Sequence, residues 1–205
     1  MQSARGRFIV LDGIDGCGKT TQAARLVRAL TRPGAPPPLH LREPGATAAG
    51  ERLRGLLLDP EVALVPAAQV LLFVAARRQM LEERVQPALS AGQDVVCERF
   101  HPSTFAYQGV GLGVGEDEVL ELLAAWAGEP APDVTVILDL DPALAARRRG
   151  RTDRYEARDE RFHRRVAEGY RRYAARTPGV VLVGAQGSPE EVEAAILAEV
   201  EHARR

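Results

Sequence analysis

Apolar positions along this chain alternate between short unbroken runs and positions spaced three or four apart. The runs FIVL from Phe8, VVCE from Val95, VTVIL from Val134 and VVLV from Val180 are rich in β-branched residues and carry little polar alternation. That pattern predicts strands buried on both faces of a parallel sheet. LHLR, Leu39 to Arg42, adds a short strand. Between these runs the period becomes helical. Ala23, Leu26, Val27 and Leu30 mark a helix from Lys19 to Thr31 that Arg32, Pro33 and Gly34 stop. A second helix is expected from Ala48 to Leu58, broken by Asp59 and Pro60, and a long apolar one from Pro66 to Ala91 that Pro87 kinks or ends and Gly92 stops. Further helices are predicted over Glu116 to Ala127, through the arginine-dense stretch to Arg176, and from Pro189 to Ala203, whereas HPSTFAYQGVGLGVG reads as a loop with a helical beginning. Five alternations of strand and helix in 205 residues predict one α/β domain over 1–205, a five-stranded parallel sheet flanked by helices, with ligands beyond the C-terminal strand ends.

The first strand runs directly into GIDGCGKTT, and Gly13 to Thr20 fits the phosphate-loop spacing of Gly, four residues, Gly, Lys, Thr. Glycines 13, 16 and 18 let backbone N–H groups approach phosphate oxygens at the N-terminus of the next helix. Lys19 supplies a point charge for β and γ phosphates, and the Thr20 hydroxyl is placed to ligate Mg²⁺. The loop residues Gly13, Ile14, Asp15, Gly16, Cys17, Gly18, Lys19, Thr20 and Thr21 are the candidate ATP contacts. Of 27 basic residues only Lys19 is a lysine, so the compact ammonium stands where the loop chemistry needs one.

Composition then narrows the function classes. A net charge of -1 gives no global field for nucleic acid or membrane, and no stretch is apolar for the roughly 18 residues a span requires. Cys17 and Cys97 have no metal-ligand spacing and read as reduced thiols, and MQSARGR enters the first strand without an apolar leader, so the expected location is the cytoplasm.

Other residues carry chemistry beyond the loop. Glu98 ends the third predicted strand and Arg99 follows it, which places a carboxylate for Mg²⁺ or its water, and a guanidinium for a phosphate, beside the phosphate loop. Asp139 and Asp141 read as structural, capping the helix that Pro142 begins. Nine arginines crowd Arg147 to Arg165, most of them a solvated helix face and one to three of them lid groups that meet the transferring phosphoryl. Phe73 and Arg77, four apart on the apolar helix, share a face suited to stacking on a flat ligand and bonding its edge, or else are a core ring and a surface charge. A guanine-reading switch is excluded by its missing Asn-Lys-x-Asp motif, since the chain has no Asn, and a dinucleotide-binding domain by the glycine order.

The phosphate loop GIDGCGKTT, the turn REPGAT at Arg42 to Thr47, LLFVAARRQ at Leu71 to Gln79, ERFHPSTFAYQGVG at Glu98 to Gly111, VTVILDLDP and the lid stretch RRRGRTDRYE at Arg147 to Glu156 together resemble bacterial thymidylate kinases, from Phe8 to about Glu191. The resemblance implies a P-loop NTPase fold with an arginine-rich lid at about 143–161, transfer of a phosphoryl group from Mg-ATP to dTMP on the way to dTTP, and a homodimer. It implies that Phe73 stacks on thymine, Arg77 bonds its carbonyl edge, and Arg99 holds the acceptor phosphate. Thr104, Tyr107 and Gln108 then contact base and deoxyribose, Asp15 lies near the 3′-hydroxyl and is a candidate metal ligand with Thr20 and Glu98, and Tyr155 covers the nucleoside. Because Gly16 leaves the phosphate loop without an arginine, the lid supplies it from Arg149, Arg151 or Arg154. The sequence departs from the family at Glu98, where Asp is usual, at Ala46, which replaces a second glycine, and at Phe100. A kinase for another nucleoside monophosphate or for a deoxynucleoside is the alternative that an acceptor panel separates.

Overall fold

The computed structural model describes residues 5–148 and 154–203. Five strands form one all-parallel sheet: β1 Phe8–Gly13, β2 Leu39–Arg42, β3 Val95–Glu98, β4 Val134–Asp139 and β5 Val180–Gly184, in the order β2-β3-β1-β4-β5. Alternation along β1 serves both faces. Phe8 and Val10 pack with Val95, Cys97, Met80 and Phe100 on one side, whereas Ile9 and Leu11 pack with Val96, Val136 and Ile196 on the other. A strand without a polar face is stable only when helices cover both sides, and here they do.

The helices are α1 Lys19–Leu30, α2 Ala48–Leu58, α3 Pro66–Met80, α4 Gln86–Ser90, α5 His101–Thr104, α6 Glu116–Ala127, α7 Pro142–Ala146, α8 Glu160–Arg176 and α9 Pro189–His202. Four of them, α2, α7, α8 and α9, begin where a capping side chain accepts from a first-turn N–H group. Thr47 accepts from Gly50 N–H, Asp159 from Phe162 N–H, and Ser188 forms a capping box with Glu191. Asp141 caps α7 as expected, and Asp139 pairs with Arg171.

Two expectations change. Pro87 does not end the long helix, because the turn before it widens to a π segment, Leu81–Val85, in which Gln86 N–H donates to Leu81 O before α-helix resumes. The stretch read as a loop after α5 stays helical as a second π segment, Phe105–Gly111. Gly111 is a contact residue there, not a turn residue: a Cβ would stand 2.9 Å from the Phe162 ring and 3.0 Å from Val166, so its absence lets α8 approach.

Ala46 occupies a left-handed backbone conformation, φ +66°, in the turn between β2 and α2. An L residue there costs about 1–2 kcal/mol relative to glycine, partly offset by glycine's greater freedom when unfolded. Ala46→Gly is therefore expected to stabilise by about 0.5–1 kcal/mol and raise Tm by about 2 °C in thermal denaturation. A lower Tm would mean that the packing of Ala46 against the second core outweighs the strain.

Candidate active site

The site forms where β1 and β3 end side by side, with Leu11 and Glu98 in register. Beyond β1 the loop turns tightly. Gly16 has φ +85° and passes so close to Ala145 O that a Cβ would lie 2.4 Å from it, and Gly18, φ +98°, precedes α1. Lys19 is buried, its Nζ donating to Gly13 O and Ile14 O at 2.8 Å each and lying 3.7 Å from Cys17 Sγ. The ammonium thus sits inside the loop with its flexible stem able to carry it to an anion. Thr20 Oγ1 donates to Glu98 Oε2 at 2.6 Å. Burial would raise the Glu98 carboxyl, but hydrogen bonds from His40 and Thr20 hold it below its ordinary value, so it is an ionised oxygen donor. A hydroxyl and a carboxylate beside phosphate-binding N–H groups suit a hard cation that takes its remaining ligands from phosphate and water.

Asp15 and Arg99 join this cleft to a second one. Arg99 Nη2 forms an ion pair with Asp15 Oδ1, Tyr107 OH donates to Asp15 Oδ2 at 2.6 Å, and Arg99 Nη1 donates to Ser103 Oγ at 3.2 Å. Burial opposes ionisation of Asp15, but the Arg99 and Lys19 charges and the Tyr107 hydroxyl hold its carboxyl well below the usual range. Both Asp15 oxygens are therefore engaged, Oδ1 by Arg99 and Oδ2 by Tyr107. Arg99 itself adopts φ +67°. That conformation is held by its N–H bond to Leu11 O at 2.9 Å and by the Asp12 carboxylate, which accepts from the N–H groups of Phe100 and Ser103 at 3.0 Å each. Asp12 is fully buried and also accepts from Gly13 N–H, Ser103 Oγ and Tyr170 OH. It fastens the phosphate loop, the Arg99 segment and α8 together.

The second cleft takes in Asp15, Glu43, Arg99 and Ser103. Phe73, Arg77, Thr104, Tyr107, Gln108 and Tyr155 all line it, so the expected nucleoside residues are brought together. Arg77 is a buried charge that lines this cleft and not a surface one. Its Nε and Nη2 bond both Glu43 oxygens at 2.7–3.0 Å, and Nη2 also reaches Phe100 O and Thr104 Oγ1 at 3.0 Å. Nη1 is buried and has no partner among the described residues, a donor reserved for something else. Tyr155 OH donates to Gln69 Oε1 at 2.8 Å and receives Gln108 Nε2–H at 3.2 Å.

The two clefts share Asp15, Arg42 and Arg99. Ile14 is buried in the core, while Gly16, Cys17, Gly18, Lys19, Thr20 and Thr21 line the phosphate side with Arg148. Arg149 and Arg151 lie outside the described residues. Arg154 stands elsewhere than the phosphate cleft, donating from Nη2 to Asp59 O and Val62 O in the α2–α3 connection. Sequence reasoning missed Asp12, Glu43, Gln69, Ser103 and the cleft-lining Arg42 and Arg148. Glu43 and Arg42 sit in the REPGAT turn, whose charges were the available signal; Asp12, a lone charge ending an apolar strand, was another.

A phosphate loop whose cleft opens, through one Asp–Arg pair, onto a second cleft with an aromatic wall and an unpaired guanidinium nitrogen defines a P-loop kinase that brings two nucleotides together. The chain belongs to the thymidylate kinase family, whose sequence pattern matches residues 11–196. It is 43% identical to thymidylate kinase of Deinococcus radiodurans over 96% of this chain and 97% of that one, and 47% identical to thymidylate kinase of Synechococcus sp. (strain WH7803) over 94% and 93%. The crystal structure of thymidylate kinase from Ehrlichia chaffeensis superposes with a TM-score of 0.80 at 28% identity, covering 96% of this chain and 99% of that one. The protein is an ATP-dependent kinase that phosphorylates dTMP.

Proposed function

We propose that a single domain catalyses this transfer by positioning and charge neutralisation, with no protein nucleophile. An acceptor phosphate oxygen of dTMP attacks the ATP γ-phosphorus, the bond to the β-phosphate oxygen breaks, and ADP and dTDP leave. In this reading the N–H groups of the 13–21 loop and Lys19 bind the ATP phosphates. Arg99 grips the acceptor phosphate, and Asp15 holds Arg99 while facing the sugar. Thymine stacks on Phe73 and offers a carbonyl to Arg77 Nη1; Thr104, Tyr107 and Gln108 line the deoxyribose and base, with Tyr155 above. The lid charge comes from Arg148, Arg149 and Arg151, and Arg154 anchors the lid. Thr20 and Glu98 would hold Mg²⁺, which when bound neutralises charge on the β and γ phosphates. The observation that carries this reading is the sharing of Asp15, Arg42 and Arg99 between the two clefts.

The same reading makes the enzyme a cytoplasmic homodimer. Among the described residues no helix is long and apolar enough to cross a membrane. Leu71 on α3 and Trp126 on α6, 56% and 64% exposed on helices packed against each other, are apolar side chains for a second copy to cover. The acceptor is tested by ADP release from Mg-ATP with each common nucleoside monophosphate and with thymidine. Turnover is expected to be greatest with dTMP, above dUMP by the roughly tenfold or more that one methyl group confers, and absent with thymidine, which lacks the group Arg99 holds. Faster turnover with another acceptor would overturn the base-site assignment.

A further inference from the structure

His40 has no part in the mechanism so far, yet it touches the metal end of the site. It lies on the edge strand β2, where alternation buries Leu41 in the second core and turns His40 and Arg42 to the other face. Register sets Arg42 beside Glu98 and His40 beside Val96, so the His40 ring comes alongside the last residue of β3. Its Nε2 lies 2.9 Å from Glu98 Oε1, and the side chain is 35% exposed against 4% for Glu98. Glu98 Oε2 is the oxygen that accepts from Thr20. A carboxylate only accepts, so the short contact requires hydrogen on Nε2. Each Glu98 oxygen thus has one donor, one from the phosphate loop and one from outside it.

We propose that His40 is a positioning residue: its Nε2–H holds Glu98 Oε1 and thereby keeps Oε2 turned to the Thr20 hydroxyl, where Mg²⁺ is bound with nucleotide. The inference rests on the reading that Thr20 and Glu98 hold the metal. The physical need is specific to this chain. Glutamate has one more rotatable bond than aspartate, and a carboxylate at the end of a strand swings unless its far oxygen is tethered. Outer partners of metal ligands supply such a tether, and losing one typically weakens metal affinity by about 10–100-fold. His40 is well suited because its ring is stiff and its exposed edge-strand site lets it serve Glu98 without a role in the core.

The test uses the full chain and a readout other than turnover. Mn²⁺ binding to the ADP complex is followed by electron paramagnetic resonance for wild type, His40→Phe, His40→Gln and Glu98→Ala, with ADP affinity in EDTA and Tm measured alongside. His40→Phe is expected to weaken Mn²⁺ by about tenfold while metal-free ADP affinity stays at the wild-type value and Tm falls by about 2–4 °C, as the loss of one hydrogen bond to a carboxylate implies. His40→Gln, whose amide N–H reaches the same oxygen, restores most of the loss. The proposal is overturned if His40→Phe binds Mn²⁺ as wild type does while Glu98→Ala is impaired, if His40→Gln is as weak as His40→Phe, or if metal-free ADP affinity falls in parallel. If Glu98→Ala itself leaves Mn²⁺ binding unchanged, the assignment of Glu98 to the metal fails, and His40 falls with it.

Discussion

Arg99→Ala is expected to lower kcat/KM for dTMP about a thousandfold, at the lower end of what a single arginine contributes to phosphoryl transfer. The reason is its location. Arg99 and Arg42 are the cations that line both clefts among the described residues, and Arg99 is the one locked in place, by Asp15, Ser103 and a strained backbone that Asp12 supports. A fork fixed before substrate arrives needs no reorganisation when charge builds between the two phosphates. Arg99→Lys keeps the charge but loses the fork and should recover only part of the rate. Steady-state ADP release with varied dTMP reads both. An Arg99→Ala enzyme within about tenfold of wild type would show that the acceptor phosphate is held elsewhere. The ion pair has a pH signature as well. Because Asp15 titrates below its ordinary value when folded, its contribution to stability is complete above about pH 4 and is lost as pH falls toward the folded value. Arg99→Ala should flatten that acid limb in thermal unfolding curves.

Arg77→Met is expected to cost about 3–5 kcal/mol of stability, because it leaves the buried Glu43 carboxylate without its partner. For a chain of this size that lowers Tm on the order of 10 °C. The double variant Arg77→Met, Glu43→Gln removes the stranded charge as well, so calorimetry should recover much of the loss. dTMP binding should not recover, since the unpartnered Nη1 donor is gone in both variants. Separating the two effects identifies what Arg77 does for the fold and what it does for the base. Recovery of dTMP affinity in the double variant, or a single variant as stable as wild type, would contradict this division.

Much of this enzyme is legible along the chain because the signals are local. The phosphate loop, the cap at Asp141, and the bounds of α2 and α6 follow from turn chemistry and a 3.6-residue period, which need no knowledge of distant partners. The adjacency of Glu98 and Arg99 at a strand end likewise sufficed to aim both at the loop, since a parallel sheet gathers its strand ends on one side. Where local rules misread the chain, packing had overridden them: Gly109 and Gly111 resemble loop residues, but the 105–111 segment is helical because α8 needs the space that Gly111 leaves.

By itself the sequence determined the reaction class, through Lys19 in its loop, and the candidates for the acceptor site, through Phe73, Arg77 and Arg99. Only the tertiary structure decided how those candidates are held. Glu43 meets Arg77 across 34 residues, Asp12 bonds Ser103 across 91, and His40 reaches Glu98 across 58. It also placed Arg154 against the connection between α2 and α3. Such pairings depend on strand order, which sets β3 between β2 and β1, and strand order is fixed by the burial of both sheet faces as a whole and not by any one stretch of chain.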